Sequence, residues 1–169
     1  MVSKKTLILD SKQIEQKINR IAYQIYEGNA TEKKIIVAGI MPNGYILAKR
    51  ISKALESISP IKTQLVELNI DKDSPYKQTI DKSLNDIDVK NSVVVLVDDV
   101  LNSGKTLIYG VKYFLNAPIK SLRTAVLIDR NHSRYPIKAD FVGLSLSTTL
   151  QEHVSVEFGK KGNEAVYLL

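Results

Sequence analysis

Cysteine is absent from all 169 residues. That excludes disulfides, thiolate metal sites and cysteine nucleophiles, and it agrees with a reducing compartment. Tryptophan is absent too, and phenylalanine occurs only three times, so an aromatic platform for stacking single-stranded nucleic acid is not expected. No apolar run approaches the length that spans a bilayer. The apolar stretch after Lys4-Lys5 is too short for a secretory signal and lacks a small-residue cleavage site, so a cytoplasmic protein is expected. The two histidines, His132 and His153, stand far apart in the chain. For both, a surface or loop position is expected rather than metal ligation.

No internal repeat, low-complexity tract or linker interrupts the chain, which reads as one domain over residues 1–169. Lysine and arginine exceed the acids by 24 to 18. The excess is spread in pairs such as Lys33-Lys34 and Lys49-Arg50 rather than in one block. That pattern suits a solvated surface, and it leaves room for a polyphosphate ligand or nucleic acid.

Asp10 and Gln13 have the spacing of a helical capping box. Ile14, Ile18, Ile21, Ala22 and Ile25 follow at helical spacing as far as Gly28-Asn29, which predicts a helix packed on one face. Lys34–Ile40 reads as a buried strand running into the turn Pro42-Asn43-Gly44, with a helix after it carrying Tyr45, Ile46, Ala48, Ile51 and Leu55. Lys62–Ile70 alternates apolar and polar residues as a third strand, with Leu65, Glu67 and Asn69 facing outward or toward the site. Asp71–Val89 is polar with little periodicity beyond Ile80, Leu84 and Ile87, as a lid or binding loop would be. Ser92–Val97 is the strongest buried strand, and a helix with Leu107, Ile108, Val111 and Phe114 comes after its loop. Leu122–Ile128, Phe141–Leu146, Val154–Phe158 and Ala165–Leu169 complete the strands. Strands alternating with helices predict an α/β fold, a mainly parallel central sheet flanked by helices on both faces.

Ligands in such sheets sit beyond the carboxyl ends of the strands. Asp98 and Asp99 follow Val93–Val97 directly, and Asn102-Ser103-Gly104-Lys105-Thr106 comes three residues later. Two adjacent acids repel each other and need a partner, such as the hydroxyls of a sugar diol or a bound Mg²⁺. Gly104 permits close backbone approach, Ser103 and Thr106 supply hydroxyls, and a helix N-terminus favours an anion. The set suits a phosphate monoester close to a sugar diol. A Walker P-loop is excluded, because its pattern requires glycine where this chain has Asp99.

The strand, the paired acids and the NSGKT loop resemble the phosphoribosyl pyrophosphate (PRPP) motif of type I phosphoribosyltransferases. Over nearly the whole chain the resemblance is to the PyrR-like branch, bifunctional pyrimidine-operon regulators and uracil phosphoribosyltransferases. It rests on ILDSKQIEQKINRIAYQI, GYILAKRI, VDDVLNSGKT and AVLIDRNHSRYPIKADFVG in that order. The resemblance implies a type I phosphoribosyltransferase fold with a flexible lid over about 71–88 and a small hood over about 129–169. It implies that Asp98 and Asp99 hold the ribose hydroxyls and, largely through PRPP, Mg²⁺. The 5-phosphate would lie on Asn102, Ser103, Gly104, Lys105 and Thr106, and the pyrophosphate on Met41, Pro42, Asn43 and Gly44. Lys72 or Lys77 on the lid would act on the departing pyrophosphate, with Asp129 and Arg130 in the hood over the base. The implied reaction moves ribose 5-phosphate from PRPP to a nucleobase, uracil first and another base as an alternative. A homodimer or higher assembly is implied as well.

Three departures qualify the resemblance. The branch carries a basic, TRG-like pyrophosphate loop where this chain has Pro42-Asn43-Gly44, and losing a charge-assisted contact costs roughly 1.5–3 kcal/mol. A plain tight turn is the alternative reading of that segment. Asn102 replaces the acid that takes the N7 proton in 6-oxopurine enzymes and the aromatic residue common in the branch. An amide cannot hold that proton, which counts against hypoxanthine and guanine. RNA is a further partner to weigh, through Lys12, Lys17 and Arg20 on the first helix and Arg130, Arg134 and Lys138 later in the chain. However, Asn19 and Tyr23 stand where RNA-binding members have threonine and histidine, and a solvated face is the competing reading. A regulator that binds RNA in response to PRPP or a nucleotide therefore stays open beside the enzyme. For Asp129-Arg130 the alternative is a salt-bridged strand end.

Overall fold

A computed structural model describes residues 5–77, 87–160 and 162–169. The element order is β1 (Thr6–Leu9), α1 (Ser11–Gly28), β2 (Lys34–Ile40), α2 (Asn43–Ile58), β3 (Lys62–Leu68), a 3₁₀ turn at Pro75–Lys77, β4 (Val93–Leu101), α3 (Lys105–Phe114), β5 (Ser121–Asp129), β6 (Phe141–Ser145), β7 (Val154–Glu157) and β8 (Ala165–Leu168). Five strands form a parallel sheet in the order β3-β2-β4-β5-β6. A second, antiparallel sheet has the order β1-β8-β7.

The central strands are apolar without a break because both faces of the sheet are covered. Their alternate residues feed two separate cores. Ile35, Val37, Val93, Val95 and Val97 pack on one side with α1 and α2, through Ile14, Ile21, Ile25, Leu47, Ile51 and Leu55. Ile36, Ala38, Ile40, Val94 and Leu96 pack on the other side with Leu107 and Phe114 of α3. Burying each such aliphatic side chain contributes about 1.5–3 kcal/mol. On α2 the deep core position is Leu47, while Ile46 is only half-buried.

The N-terminus of α1 is built as its sequence predicts. The Asp10 carboxylate accepts from the Gln13 N–H at 2.8 Å, and Gln13 Oε1 accepts from the Asp10 N–H at 2.9 Å. At the other end Asn29 bonds the carbonyls of Ile25 and Tyr26.

Two boundaries differ from expectation. Thr6–Leu9 is a strand, paired with β8 at the far end of the sequence. Only four residues long, it shows too little alternation to stand out before its partner is known. Phe141–Ser145 joins the large sheet beside β5, so the small sheet is not simply the segment after residue 129. It combines the chain's beginning with its last two strands.

Strand order places the site. From β2 the chain crosses to β3 on one side and then back to β4 on the other, so the topology reverses between β2 and β4. The loops leaving these two strands diverge there and open a crevice at their carboxyl ends.

Candidate active site

Asp98 and Asp99 do not follow the strand but lie inside it, since β4 pairs with β5 as far as Leu101 opposite Asp129. The two side chains interact with each other and both lie at the start of α2. Asp99 meets Asn43 at the start of α2, whose Nδ2 donates to Asp99 Oδ2 at 2.9 Å and to the Val156 carbonyl at 3.0 Å. Asp98 feels the charge of Lys72, beyond β3. Each carboxylate also accepts the next residue's backbone N–H at 2.9 Å, Asp99 to Asp98 and Val100 to Asp99. Both acids are buried, at 5% and 9% exposure. Burial first, and then the negative charge of Asp99, hold the Asp98 carboxyl well above the usual carboxylate range, against the pull of Lys72.

The turn between β2 and α2 closes one side of the crevice. Met41-Pro42 is a cis peptide, and the Met41 N–H bonds the Leu68 carbonyl at 3.0 Å. Gly44 is required by contact: a Cβ there would sit 2.6 Å from the Val97 carbonyl oxygen and 3.2 Å from Asp98 Oδ1. The N-terminus of α2 is thus pressed against the acid pair, and no side chain caps it. Its first N–H groups carry partial positive charge toward the acids and toward any anion beside them.

The 102–106 loop closes the second side. Gly104 has φ +83°, and a Cβ would meet Ile137 Cγ2 at 2.6 Å, so both conformation and space demand glycine. Ser103 is anchored through its carbonyl, which accepts from the N–H groups of Arg134 and Tyr135 at 2.8 and 3.1 Å. Ser103 Oγ accepts from the Lys105 N–H at 3.2 Å as α3 begins. Lys105 Nζ reaches the Asp73 carbonyl at 3.5 Å, tying this loop to the root of the expected lid. One cavity is lined by Lys72, Asp98 and Asp99 together with every residue from Asn102 to Thr106. The turn residues 41–44 adjoin it through Asn43 and Gly44.

Arg130 stands behind Asn102, and its environment was not readable from spacing. It is 7% exposed. Nε donates to Thr148 Oγ1 at 3.0 Å, Nη1 to Asn102 Oδ1 at 2.9 Å, and Nη2 to the carbonyls of Thr149 and Glu152. The guanidinium joins Asn102 to the 148–152 loop, whereas Asp129 accepts from the Asn131 N–H at 2.8 Å, so the two do not pair as a salt-bridged strand end. Thr148, Thr149 and Glu152 carry no motif that could have announced them.

Two of the basic residues weighed for RNA are engaged within the fold. Arg130 is buried, and the Arg20 guanidinium donates to the carbonyls of Val142 and Gly143. Lys12, Arg134 and Lys138 are exposed. His132 bonds the Thr148 carbonyl, and His153 is exposed just before β7, its backbone paired with Leu169, so both are surface or loop histidines as expected. Residues 78–86 of the expected lid, with Ile80 and Leu84, lie outside the described residues. Among the described residues no group of three or more acidic or histidine side chains could cage a metal, and no helix is long and apolar enough to cross a membrane.

Comparison with known proteins agrees with this geometry. The phosphoribosyl transferase domain family matches residues 5–159. The "Bifunctional protein PyrR" of Fusobacterium nucleatum is 36% identical over 181 aligned positions, covering all of both chains. The protein of the same name from Clostridium kluyveri is 36% identical over 92% of each chain. Among solved structures, hypoxanthine phosphoribosyltransferase of Trypanosoma cruzi superposes with a TM-score of 0.75 at 18% identity, covering 97% of this chain and 95% of that one. A hypoxanthine phosphoribosyltransferase from Staphylococcus aureus gives 0.73, also at 18% identity, over 85% and 78% of the two chains. The chain belongs to the phosphoribosyltransferase family, in its PyrR-like branch.

Proposed function

We propose that the protein transfers ribose 5-phosphate from PRPP to uracil, releasing pyrophosphate. The observation that carries this reading is the single cavity in which Asp98, Asp99 and the Asn102–Thr106 loop meet at the reversal of strand order. The acids accept the ribose hydroxyls. The loop's N–H and hydroxyl groups bind the 5-phosphate at the start of α3. The pyrophosphate lies against the uncapped N-terminus of α2, where backbone N–H groups stand in for the absent arginine. Lys72 adds positive charge beside the leaving group.

A base nitrogen attacks the anomeric carbon as the bond to pyrophosphate breaks. The protein contributes alignment and preorganised charge rather than a covalent intermediate. Mg²⁺ fits the donor set: two carboxylates are too few for a protein-only site, but Mg²⁺ commonly takes one or two carboxylates and completes its shell with substrate phosphates and water. Asp98 and Asp99 would hold it largely through PRPP, and when bound it neutralises pyrophosphate charge. Burial and the Asp99 charge push the Asp98 carboxyl up, and positive charge or hydroxyl donors beside it would stabilise its ionised form.

Incubation with PRPP, Mg²⁺ and a panel of bases tests the proposal. PRPP-dependent conversion of uracil to its mononucleotide is expected, and no turnover with any base refutes it. A second reading, regulation through RNA, draws on the relatives' bifunctional name and on exposed Lys12, Arg134 and Lys138. Filter binding of pyrimidine-operon leader RNA, with a steep salt dependence, would support that reading.

A further inference from the structure

Asn102 is the residue of the phosphate loop that departs from both related groups, and in the folded chain it has a fixed partner. Arg130 Nη1 lies 2.9 Å from Asn102 Oδ1. A guanidinium only donates, so the atom that Asn102 turns toward it must be the carbonyl oxygen. The donor end, Nδ2, is thereby left for a ligand, since Asn102 is exposed and lines the cavity. Arg130 cannot readily release the amide, because Thr148 Oγ1 and the carbonyls of Thr149 and Glu152 hold its remaining nitrogens and it is buried. The amide is therefore locked in one of its two orientations.

We infer that Asn102, oriented by Arg130, is the residue that selects the functional group on the nucleobase. It presents a donor, so it takes a base whose facing edge carries a carbonyl oxygen and disfavours one carrying an amino group. This rests on the proposed reading of the cavity as a PRPP site. With the ribose at Asp98 and Asp99 and its phosphate on Ser103–Thr106, the base comes to lie beside Asn102, on the side where Arg130 ties that residue to the 148–152 loop. An amino group there would set donor against donor and leave both unsatisfied, a cost equivalent to about tenfold or more in affinity. Asn102 also offers no general base, since an amide does not take and hold a proton near neutral pH.

The experiment is calorimetric binding of UMP and CMP to the wild type, Asn102→Asp and Arg130→Met, with PRPP binding measured alongside. UMP and CMP share the ribose 5-phosphate and differ at the base edge, so their affinity ratio isolates the selecting contact. The wild type should favour UMP by about tenfold or more. Asn102→Asp keeps an oxygen toward Arg130 but turns an acceptor to the cavity, and should abolish or reverse the preference, whatever its shared effect on both nucleotides. Arg130→Met frees the amide to rotate and should bring the ratio toward one in protein that circular dichroism shows to be folded. Should that variant unfold, Asn102→Asp decides alone. PRPP binding with no UMP preference in the wild type, or with a preference unchanged in Asn102→Asp, overturns this inference only. Failure of the wild type to bind PRPP or either nucleotide overturns the reading of the cavity as well.

Discussion

Asp98→Asn exchanges a buried carboxylic acid for an amide of the same shape, and it should move stability and ligand affinity in opposite directions. In the wild type, burial and the Asp99 charge both penalise the ionised form of Asp98. The amide carries no charge to desolvate or repel. It keeps an oxygen to accept the Asp99 N–H now bonded at 2.9 Å. What it loses is attraction to Lys72, an exposed lysine, and such an interaction is worth at most about 1 kcal/mol. Relieving a functional site of this kind commonly adds about 0.5–2 kcal/mol. For a domain of this size each kcal/mol raises Tm by about 2–4 °C.

The sign of the pH dependence follows from linkage. The folded pKa of Asp98 is raised, so over the range between its unfolded and folded values the native state holds a proton that the unfolded state has released. Wild-type stability therefore falls as pH rises through that range, and this contribution is absent from the variant. The Tm difference should be small below the ordinary carboxylate pKa and widen as pH increases. Ligand binding should suffer, because charge-assisted hydrogen bonds to the ribose become neutral ones, at about 10- to 100-fold in PRPP affinity. Thermal melting of both proteins from acid to alkaline pH, with and without PRPP and Mg²⁺, reads all of this. An apo variant that melts below the wild type at alkaline pH, or one that binds PRPP unchanged, would refute the reasoning.

Other substitutions probe the remaining walls of the cleft. Asn43→Ala removes the bonds to Asp99 and to the Val156 carbonyl, and should cost about 1–3 kcal/mol by denaturant titration while weakening PRPP binding; unchanged PRPP affinity would detach this turn from the site. Gly104→Ala forces a Cβ into Ile137 and into a positive φ, and a loss of about 1–3 kcal/mol is expected. The double variant Gly104→Ala with Ile137→Ala should not recover it fully, because the backbone strain persists. Asp10→Ala removes the capping box far from the cleft. It should lower stability by about 0.5–2 kcal/mol and leave the PRPP Kd unchanged, which equilibrium binding checks.

The legible part of this fold is the part carried by local periodicity. Helix α1 could be read to the residue because a capping box starts it and five isoleucine or alanine positions mark its buried stripe. Strands β2 and β4 were equally plain, although their unbroken apolar runs conceal the alternation that sends Ile35 and Ile36 into different cores. Strand β1 was missed for the opposite reason. Thr6–Leu9 is short, and what makes it a strand is β8, more than 150 residues away. Pairing at that distance leaves no local signature, and the same is true of the small sheet's composition.

The site divides along the same line. Acids, glycine and hydroxyls lie within nine residues, Asp98 to Thr106, so one short segment, from the end of β4 to the start of α3, carries them and spacing alone suffices to identify the cradle. The contacts that tune the cradle come from elsewhere in the chain. Asn43 reaches Asp99 across 56 positions, and Arg130 reaches Asn102 across 28. In isolation Asn102 looked like the loss of a general base. Beside Arg130 it becomes an oriented donor, because a partner that can only donate removes the amide's twofold ambiguity. Arg130 likewise changes from a candidate surface charge for RNA to a buried cross-link among the ends of β4 and β5 and the 148–152 loop. The same residue cannot readily serve both purposes, since the side chain is buried and four of its five N–H groups are committed inside the fold. Any RNA surface must therefore be drawn from the exposed lysines and Arg134, and its disruption should leave the base-selecting contact intact.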